Sequence, residues 1–405
     1  MKFLIAICFL LISYSYAGYP FLLWFLTKGK RKNRREPLPP VLDPGGSCPL
    51  MSLVVSAYNE EKIIEEKIQN CLRLKYPKDR LEIVIATDGC TDQTQTIVKR
   101  YKAQGVVLFE YPVRRGKPAV LNETVPLARG EVIVFSDAYT VLKEDVLLRI
   151  ARHFYNPEVG VVSGFFGFLD PNARQLEKRY FDYDKFLKAL EGDWGVLVGA
   201  HGGCYAIRKK AWKAIAEDTL IDDFVAAIQT QARGFQAVYD RDIVAIEEAS
   251  DGFWSEYRRR VRIGAGGYQS LASLRDVIFP RRRELWKLSF AFWSHKVLRW
   301  LGPFLLLFLW GGSLSVLGHP FFAVFWALQT FFYALAAFGF AHHLCHPRGG
   351  KASLLFEAPF YFVGINVALF HGFLKHLLGK QKVTWARTER NRFSSEVPSC
   401  LEYSA

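Results

Sequence analysis

The chain has 405 residues, half of them hydrophobic by type and 15% aromatic, with a formal net charge of +14. Abundant aromatics with ordinary Gly and Pro exclude a disordered or collagen-like chain. Seven scattered Cys without a CxxC pair argue against a disulfide scaffold and a zinc site, and fit a reducing compartment. The length suits two or three domain-sized units, and the apolar residues concentrate at the two ends.

Phe3 to Leu26 carries no charged side chain and, at about 1.5 Å per residue, is long enough to cross a bilayer. A cleaved signal would end near Ala17, yet apolarity resumes at Tyr19, so residues 1–27 read as a membrane anchor. Lys28, Lys30, Arg31, Lys32, Arg34 and Arg35 follow, against Lys2 alone ahead of the span. Positive-inside bias then places the amino terminus outside and the rest in the cytoplasm. Residues 28–47, basic and then Pro-rich, read as a linker.

Residues 48–252 alternate β-rich runs with helical patterns. Strands are expected at Met51–Ala57, Glu82–Thr87, Val106–Tyr111, Glu131–Ser136, Val159–Phe168 and Gln236–Tyr239. Helices are expected at Glu60–Arg73, Thr91–Gln104, Lys117–Ala128, Glu144–His153, Arg174–Leu190 and Asp222–Arg233. Such alternation predicts an α/β domain with a mostly parallel sheet. Ligands of such sheets sit beyond the carboxyl ends of the strands. Here three of those ends carry acids, at Ala57-Tyr58-Asn59-Glu60, Thr87-Asp88-Gly89-Cys90-Thr91-Asp92 and Ser136-Asp137-Ala138-Tyr139-Thr140. An acidic edge suits a divalent cation with a phosphate, or a hydroxyl-rich ligand. Turn and helix-cap duties are the plainer alternative for Asp88, Asp92 and Glu60. No GxGxxG follows a strand, and Gly116-Lys117 runs into Pro118, which disfavours a dehydrogenase or a P-loop kinase.

Residues 253–296 read as amphipathic interface helices, and Arg258 to Arg262 with Arg281, Arg282 and Arg283 would meet anionic headgroups. In the membrane region, residues 297–378, Trp300 to Gly318 and Phe321 to Ala341 read as two antiparallel spans. A third run, Leu354 to Leu374, holds Glu357, Pro359, Gly364 and His371, and fits a span, a re-entrant segment or an interfacial helix. Four spans would put the basic tail, residues 379–405, outside, against the positive-inside rule. His342, His343 and His346 with Cys345 read as a juxtamembrane loop rather than a metal site.

The ordered motifs VVSAYNEE (54–61), ATDGCTDQT (86–94), RRGKPAVLN (114–122) and VIVFSDAYT (132–140) resemble membrane-bound glycosyltransferases of family 2, with a GT-A nucleotide-sugar domain. The likeness continues through GAHGGCYAIRK (199–209), IDDFVAAIQTQARGFQAVY (221–239), RRRVRIGAGGYQSL (258–271), SHKVLRWLGPFLLL (294–307) and VTWARTER (383–390). This family includes cellulose, chitin and hyaluronan synthases and bacterial polysaccharide transferases. The resemblance implies an α/β GT-A domain flanked by N- and C-terminal transmembrane helices. It also implies inverting transfer from a nucleotide-sugar, UDP-linked by expectation, to a polysaccharide or lipid-linked glycan at the cytoplasmic membrane face.

Carried over by position, Ala57, Glu60 and Asp88 would hold the nucleoside. Lys117 would lie near the base or pyrophosphate, or be a solvated lysine at a helix start. Asp137 takes the first place of the DxD motif that holds Mg²⁺ or Mn²⁺. Tyr139 takes the second, where a neutral phenol is a poor ligand for a hard cation. Asp222 and Asp223 match the acidic pair, Asp223 as general base and Asp222 as a cap. Arg259 and Arg262 fall on the Gln and Arg of the Gln-x-x-Arg-Trp motif, with Ile263 replacing its Trp, and an Arg fork there can clasp a diphosphate. His201, Gly202 and Gly203 lie in the stretch resembling the acceptor floor, and Trp194 could stack on a sugar or pack in the core. Expected partners are the donor, a glycan or lipid-linked acceptor, membrane lipids and subunits of a polysaccharide assembly or export system. Nucleic acid is not expected, because the positive charge tracks the membrane flanks. A non-catalytic membrane partner of such an assembly is the alternative, and Tyr139 favours it.

Overall fold

The computed structural model describes residues 1–29, 48–168, 175–247, 252–345 and 353–384. Residues 30–47, most of the 383–390 motif, His346 and Cys400 lie outside them.

Helix α1 (Lys2–Thr27) leads to the sheet domain. There β1 (Met51–Ala57), α2 (Ile64–Leu72), β2 (Leu81–Asp88), α3 (Thr94–Lys99), β3 (Val106–Tyr111), α4 (Lys117–Leu127) and β4 (Val132–Asp137) alternate. After them come β5 (Val141–Leu142), α5 (Val146–Phe154), β6 (Val159–Phe168), α6 (Gln175–Trp194), β7 (Tyr205–Arg208), α7 (Asp222–Ala232) and β8 (Gln236–Glu247). The chain then forms α8 (Gly252–Ser273), α9 (Arg283–Leu314), α10 (Pro320–Cys345) and α11 (Leu354–Leu377).

The strands form one sheet in the order β3-β2-β1-β4-β7-β6-β8-β5. β3, β2, β1 and β4 are mutually parallel, β7 enters antiparallel between β4 and β6, and β8 pairs parallel to β6. β1 and β4 are apolar almost throughout and buried on both faces, as a parallel sheet covered by helices requires. The fold is the expected α/β architecture with a mostly parallel sheet, flanked by apolar helices at both ends.

The differences from expectation have local causes. β5 and β7 are too short to signal themselves by alternation, and β8 runs on to Glu247 because its second half pairs with Phe165–Phe168 after a bulge. α2 starts at Ile64 rather than Glu60 because Asn59 is left-handed (φ 53°) and the Glu60 and Glu61 amides donate to Thr94 Oγ1 and Asp92 Oδ2. The division expected at residue 297 falls inside α9. Its polar residues His295 and Lys296 do not end the helix, since they bond Glu191 and Asp184 of α6.

Four helices, α1, α9, α10 and α11, are long and apolar enough to cross a membrane. They do not share one direction of packing. α1 lies against α9, with a Tyr14–Ser294 hydrogen bond at 2.9 Å, and Phe9 meets Phe325 of α10. α11 lies along α8, from Phe253–Phe360 (ring centroids 4.9 Å) to Tyr268–Phe373 (5.1 Å), and also against α10 at Phe338–Phe356 (4.6 Å) and α9 at Phe304–Phe373 (4.9 Å). The opposite side of α8 rests on the sheet domain, where Gly266 faces Leu220 and Ile221. Small residues set the approach: a Cβ on Gly372 would lie 2.6 Å from the Val261 carbonyl and 2.7 Å from the Ala265 amide.

Because those neighbours are backbone, Gly372→Leu forces the two helices apart. It is expected to cost about 1–3 kcal/mol, read as a lowered Tm of the full-length protein in detergent. An unchanged Tm would refute the α8–α11 contact.

Candidate active site

The sheet edge is built from latched loops. Asn59 and Thr91 exchange side-chain and backbone hydrogen bonds (3.0 and 2.8 Å), and Asp92 accepts from the Glu61 and Thr94 amides (3.1 and 3.0 Å). Asp92 is therefore a turn residue that ties the first loop to the second. Asp88 has a different task. Its carboxylate accepts the Arg115 amide at 2.7 Å and the Gly116 amide at 2.8 Å. That clamp fixes the 114–117 loop, where Gly116 sits at φ +100° and a Cβ would collide with Val383. Arg114 stacks on Tyr58, its guanidinium carbon 3.6 Å from the ring centroid.

The loop delivers Lys117 into a cluster of acids. Its Nζ lies 2.6 Å from Asp137 Oδ1 and 3.4 Å from Asp222 Oδ2. Burial alone would lower this ammonium, but Asp137 and Asp222 hold it well above the usual lysine range. Lys117 is thus a paired charge, not the solvated lysine that was one reading of the sequence. Tyr139 OH donates to Asp137 Oδ2 at 3.1 Å, so both oxygens of Asp137 have protein donors. The turn itself is held by a side chain that sequence reasoning passed over. Lys67, fully buried in α2, donates to Ser136 Oγ (2.8 Å) and the Thr140 carbonyl (2.6 Å), and burial lowers its pKa.

Asp222 and Asp223 open α7, where acids complement the helix N-terminus. Asp223 Oδ1 accepts the Phe224 amide at 2.8 Å. Burial and the adjacent Asp222 carboxylate raise its pKa to about 6, against the opposing pull of Lys117 and Lys188. Gly202 leaves the gap beside it open: a Cβ there would lie 3.2 Å from Asp223 Oδ2 and 3.4 Å from Asp137 Oδ2. Gly203 offers its carbonyl to Ser136 Oγ (3.0 Å), and the His201 amide bonds Ser163 Oγ (3.2 Å). Burial, with Lys188 nearby, holds the His201 imidazole well below its usual pKa. Lys188 of α6 supports this floor from beneath, donating to the Gly199 carbonyl at 3.1 Å.

On α8 the arginines are already engaged. Glu256 takes the Arg259 fork at 2.7 and 2.9 Å, and Arg262 donates to the Leu220 carbonyl at 3.0 Å. The fork expected to clasp a diphosphate is turned to Glu256, and Arg262 braces the approach to Asp222.

One cavity of about 1060 Å³ gathers Ala57, Glu60, Asp88, Lys117, Asp137, Asp222, Asp223, His201, Gly202, Gly203, Arg259 and Arg262. The residues to which the resemblance gave donor, acceptor or catalytic roles line this one cavity. Trp194 does not: it packs on Phe290 with Lys287 over its ring. His343 stacks on Phe360. Residues not singled out also line the cavity, among them Tyr16 of α1, Trp300 of α9, Leu369 of α11, and Gln381, Val383 and Thr384 beyond α11. The 383–390 stretch was the one signal that pointed to the last group.

The divalent ion that the resemblance implies finds a poor donor set here. Asp137 is the one carboxylate of the motif, and its oxygens meet an ammonium and a phenol. Among the described residues no group of three or more His, Cys, Asp or Glu is placed to hold a metal. Such an ion needs about six oxygen ligands, usually with one or two carboxylates open to it. The residues present do not fit it.

The fold is a GT-A-like α/β architecture. Residues 52–215 match the family described as glycosyl transferase family 2. The chain is 35% identical over 254 residues to a beta-monoglucosyldiacylglycerol synthase of Nostoc sp. (strain PCC 7120), covering 60% of this chain and 54% of that one. It is 25% identical over 278 residues to a poly-beta-1,6-N-acetyl-D-glucosamine synthase of Staphylococcus aureus, covering 62% of this chain and 64% of that one. The chain thus spans between about half and two thirds of these curated relatives. In overall fold it matches a mannosyltransferase from Pyrobaculum calidifontis, solved in complex with GDP-Man and Mn²⁺. The TM-score is 0.68 at 23% identity, over 93% of this chain and all of that one.

The Asp88 clamp predicts its own test. Asp88→Ala removes two charge-assisted hydrogen bonds, about 1.5–3 kcal/mol each, and should speed tryptic cleavage at Arg114 and Arg115. Cleavage at the native rate would mean that the loop is held elsewhere.

Proposed function

We propose that this protein is an inverting glycosyltransferase, moving a hexosyl or N-acetylhexosaminyl group from a nucleotide-sugar to a lipid-borne hydroxyl at the cytoplasmic face of a membrane. The observation that carries the reading is the meeting of Asp137 and Asp223 across the gap at Gly202, with Asp222 joined through Lys117, in a cavity also lined by Tyr16, Trp300 and Leu369. Those three belong to helices apolar enough to enter a bilayer. The Nostoc relative, named for a glycolipid product, supports the lipid acceptor over a polysaccharide chain.

In this reading the nucleoside lies over Ala57, Glu60 and Asp88, with the diphosphate toward Lys117 and Arg114. Asp223 takes the proton from the acceptor hydroxyl as its oxygen attacks the anomeric carbon. The bond from that carbon to the diphosphate breaks, the nucleoside diphosphate leaves with the electron pair, and the anomeric centre inverts. His201, neutral, and Gly202 form the floor over which the acceptor oxygen arrives. No step is routed through Mg²⁺ or Mn²⁺, although the family resemblance led us to expect one on Asp137.

The reading includes a placement in the membrane. With α1, α9 and α10 crossing and α11 lying along α8 at the interface, the amino terminus is outside, and the domain and tail are inside. That arrangement satisfies the positive-inside rule for Lys375, Lys380 and Lys382, which a fourth span would break.

Membranes carrying the protein, supplied with UDP- and GDP-sugars and lipid extract, should release nucleoside diphosphate and a glycolipid. Asp223→Asn should lower kcat by about 10²–10⁴-fold with donor affinity kept; release at the native rate refutes the base assignment. Long polymer as product would replace the lipid acceptor with a growing glycan. No turnover with any donor and acceptor would favour the non-catalytic partner.

The pH profile is a separate check. A base must be ionised to act, so activity should rise with pH through about 6, not near the usual Asp value of about 4. A profile flat from pH 7 down to 5 would contradict it.

A further inference from the structure

We propose that Lys117 takes the place of the divalent cation, so that this protein binds the diphosphate of its donor without a metal ion. The inference rests on the nucleotide-sugar reading above and goes beyond it.

Four observations converge at Asp137. The second acidic position of the motif is Tyr139, whose hydroxyl points its proton at Asp137 Oδ2 (3.1 Å). A phenol so used is a donor to the carboxylate and not a ligand for a cation. The other oxygen, Oδ1, receives Lys117 Nζ at 2.6 Å, and the same ammonium lies 3.4 Å from Asp222. The turn cannot easily be recast to free a second oxygen ligand. Buried Lys67 bonds it on both sides, at Ser136 Oγ and the Thr140 carbonyl, and the Thr140 amide closes it on the Asp137 carbonyl at 3.2 Å. Finally, Asp88 holds the amides of Arg115 and Gly116, which keeps the lysine aimed into the cluster.

An ammonium suits the vacated task. It is a compact point charge with three donors. Asp137 takes one as a hydrogen bond, Asp222 is an ion-pair partner at 3.4 Å, and a donor remains for a diphosphate oxygen. Arg114, held flat on Tyr58 and lining the same cavity, adds a second fixed positive charge at that end. Two protein cations then supply the charge that one Mg²⁺ or Mn²⁺ would bring, with no loosely held ion to lose. As the anomeric bond breaks the electron pair stays on the leaving diphosphate, which gains one negative charge that these cations oppose, and the acceptor proton passes to Asp223.

The test uses the full-length protein in nanodiscs, with UDP and GDP as probes and binding followed calorimetrically in EDTA or in Mn²⁺. Mn²⁺ immobilisation is read in parallel by electron paramagnetic resonance. The native protein should bind one of the nucleotides with affinities within about twofold in the two buffers, and nucleotide should immobilise no Mn²⁺. Lys117→Met should weaken binding about tenfold or more, with no rescue by Mn²⁺. Tyr139→Asp should gain an immobilised Mn²⁺ signal and binding that tightens when Mn²⁺ is added. Native binding that tightens about tenfold with Mn²⁺, together with an immobilised ion, overturns this inference and leaves the functional reading standing. No binding of either nucleotide in either buffer overturns the functional reading, and this inference with it. The comparison of the two buffers is made on the native protein, so a variant that fails to fold does not remove the test.

Discussion

A single ammonium held between two carboxylates organises the centre of this protein. Lys117, Asp137 and Asp222 come from the start of α4, the end of β4 and the start of α7, and no other contact draws those three ends together so tightly. Removing one partner would leave a charge uncompensated in a place where water is scarce, which is costly in a way that losing a surface ion pair is not. The cluster also sets the chemistry around it. Asp222 is occupied in neutralising Lys117, while Asp223, next in sequence, is pushed up toward neutral pH by burial and by that neighbour. Under the proposed function, adjacent acids with opposite environments divide the labour between structure and proton transfer.

The same site is joined mechanically to the membrane helices through α6. Glu191 accepts from Tyr19 of α1 and bonds His295 of α9 (3.1 and 2.7 Å), while Asp184 meets His295 and Lys296. Arg299 donates to Tyr183, whose own hydroxyl bonds the Tyr16 carbonyl. Despite burial, Lys296, His295 and Lys188 hold Asp184 well below the usual carboxylate range. These bonds run along one side of α6. Lys188 leaves the same helix to hold the Gly199 carbonyl under the acceptor floor. The Gly199–Gly203 floor is therefore fixed by the helix that the apolar segments clasp, so under the proposed function their spacing would bear on the acceptor's position.

Much of this was legible in the sequence because strand ends are local. A run such as MSLVVSA followed by Tyr-Asn-Glu places its acid at a sheet edge whatever the rest of the chain does, and the order of three such edges narrows the fold. Helix starts at Lys117 and Asp222 were legible for the same reason. What stayed hidden depends on partners distant in sequence. Nothing near Lys67 announces that it will be buried under Ser136 and Thr140. Tyr139 was visible as a departure but not as a donor to Asp137. The four-residue β7 lacks the length for a periodic signal, and no hydropathy count distinguishes a helix that crosses from one that runs beside α8.

That last ambiguity bears on function, because α11 closes the cavity that the sheet opens. Its residue Leu369 faces Gly264 of α8, and the chain beyond it returns to Val383, against Gly116 of the lysine loop. A helix crossing the bilayer would carry the following segment away from the domain, whereas one lying along α8 brings it back over the nucleotide end. The 114–117 loop, α8 and α11 thus all border the cavity that holds Asp137, Asp222 and Asp223. Under the proposed function, a hydrophilic donor and an acceptor anchored in the bilayer would meet at Asp223 without either leaving its own solvent. In that reading the acidic sheet edge has to be built onto apolar helices rather than merely tethered near them.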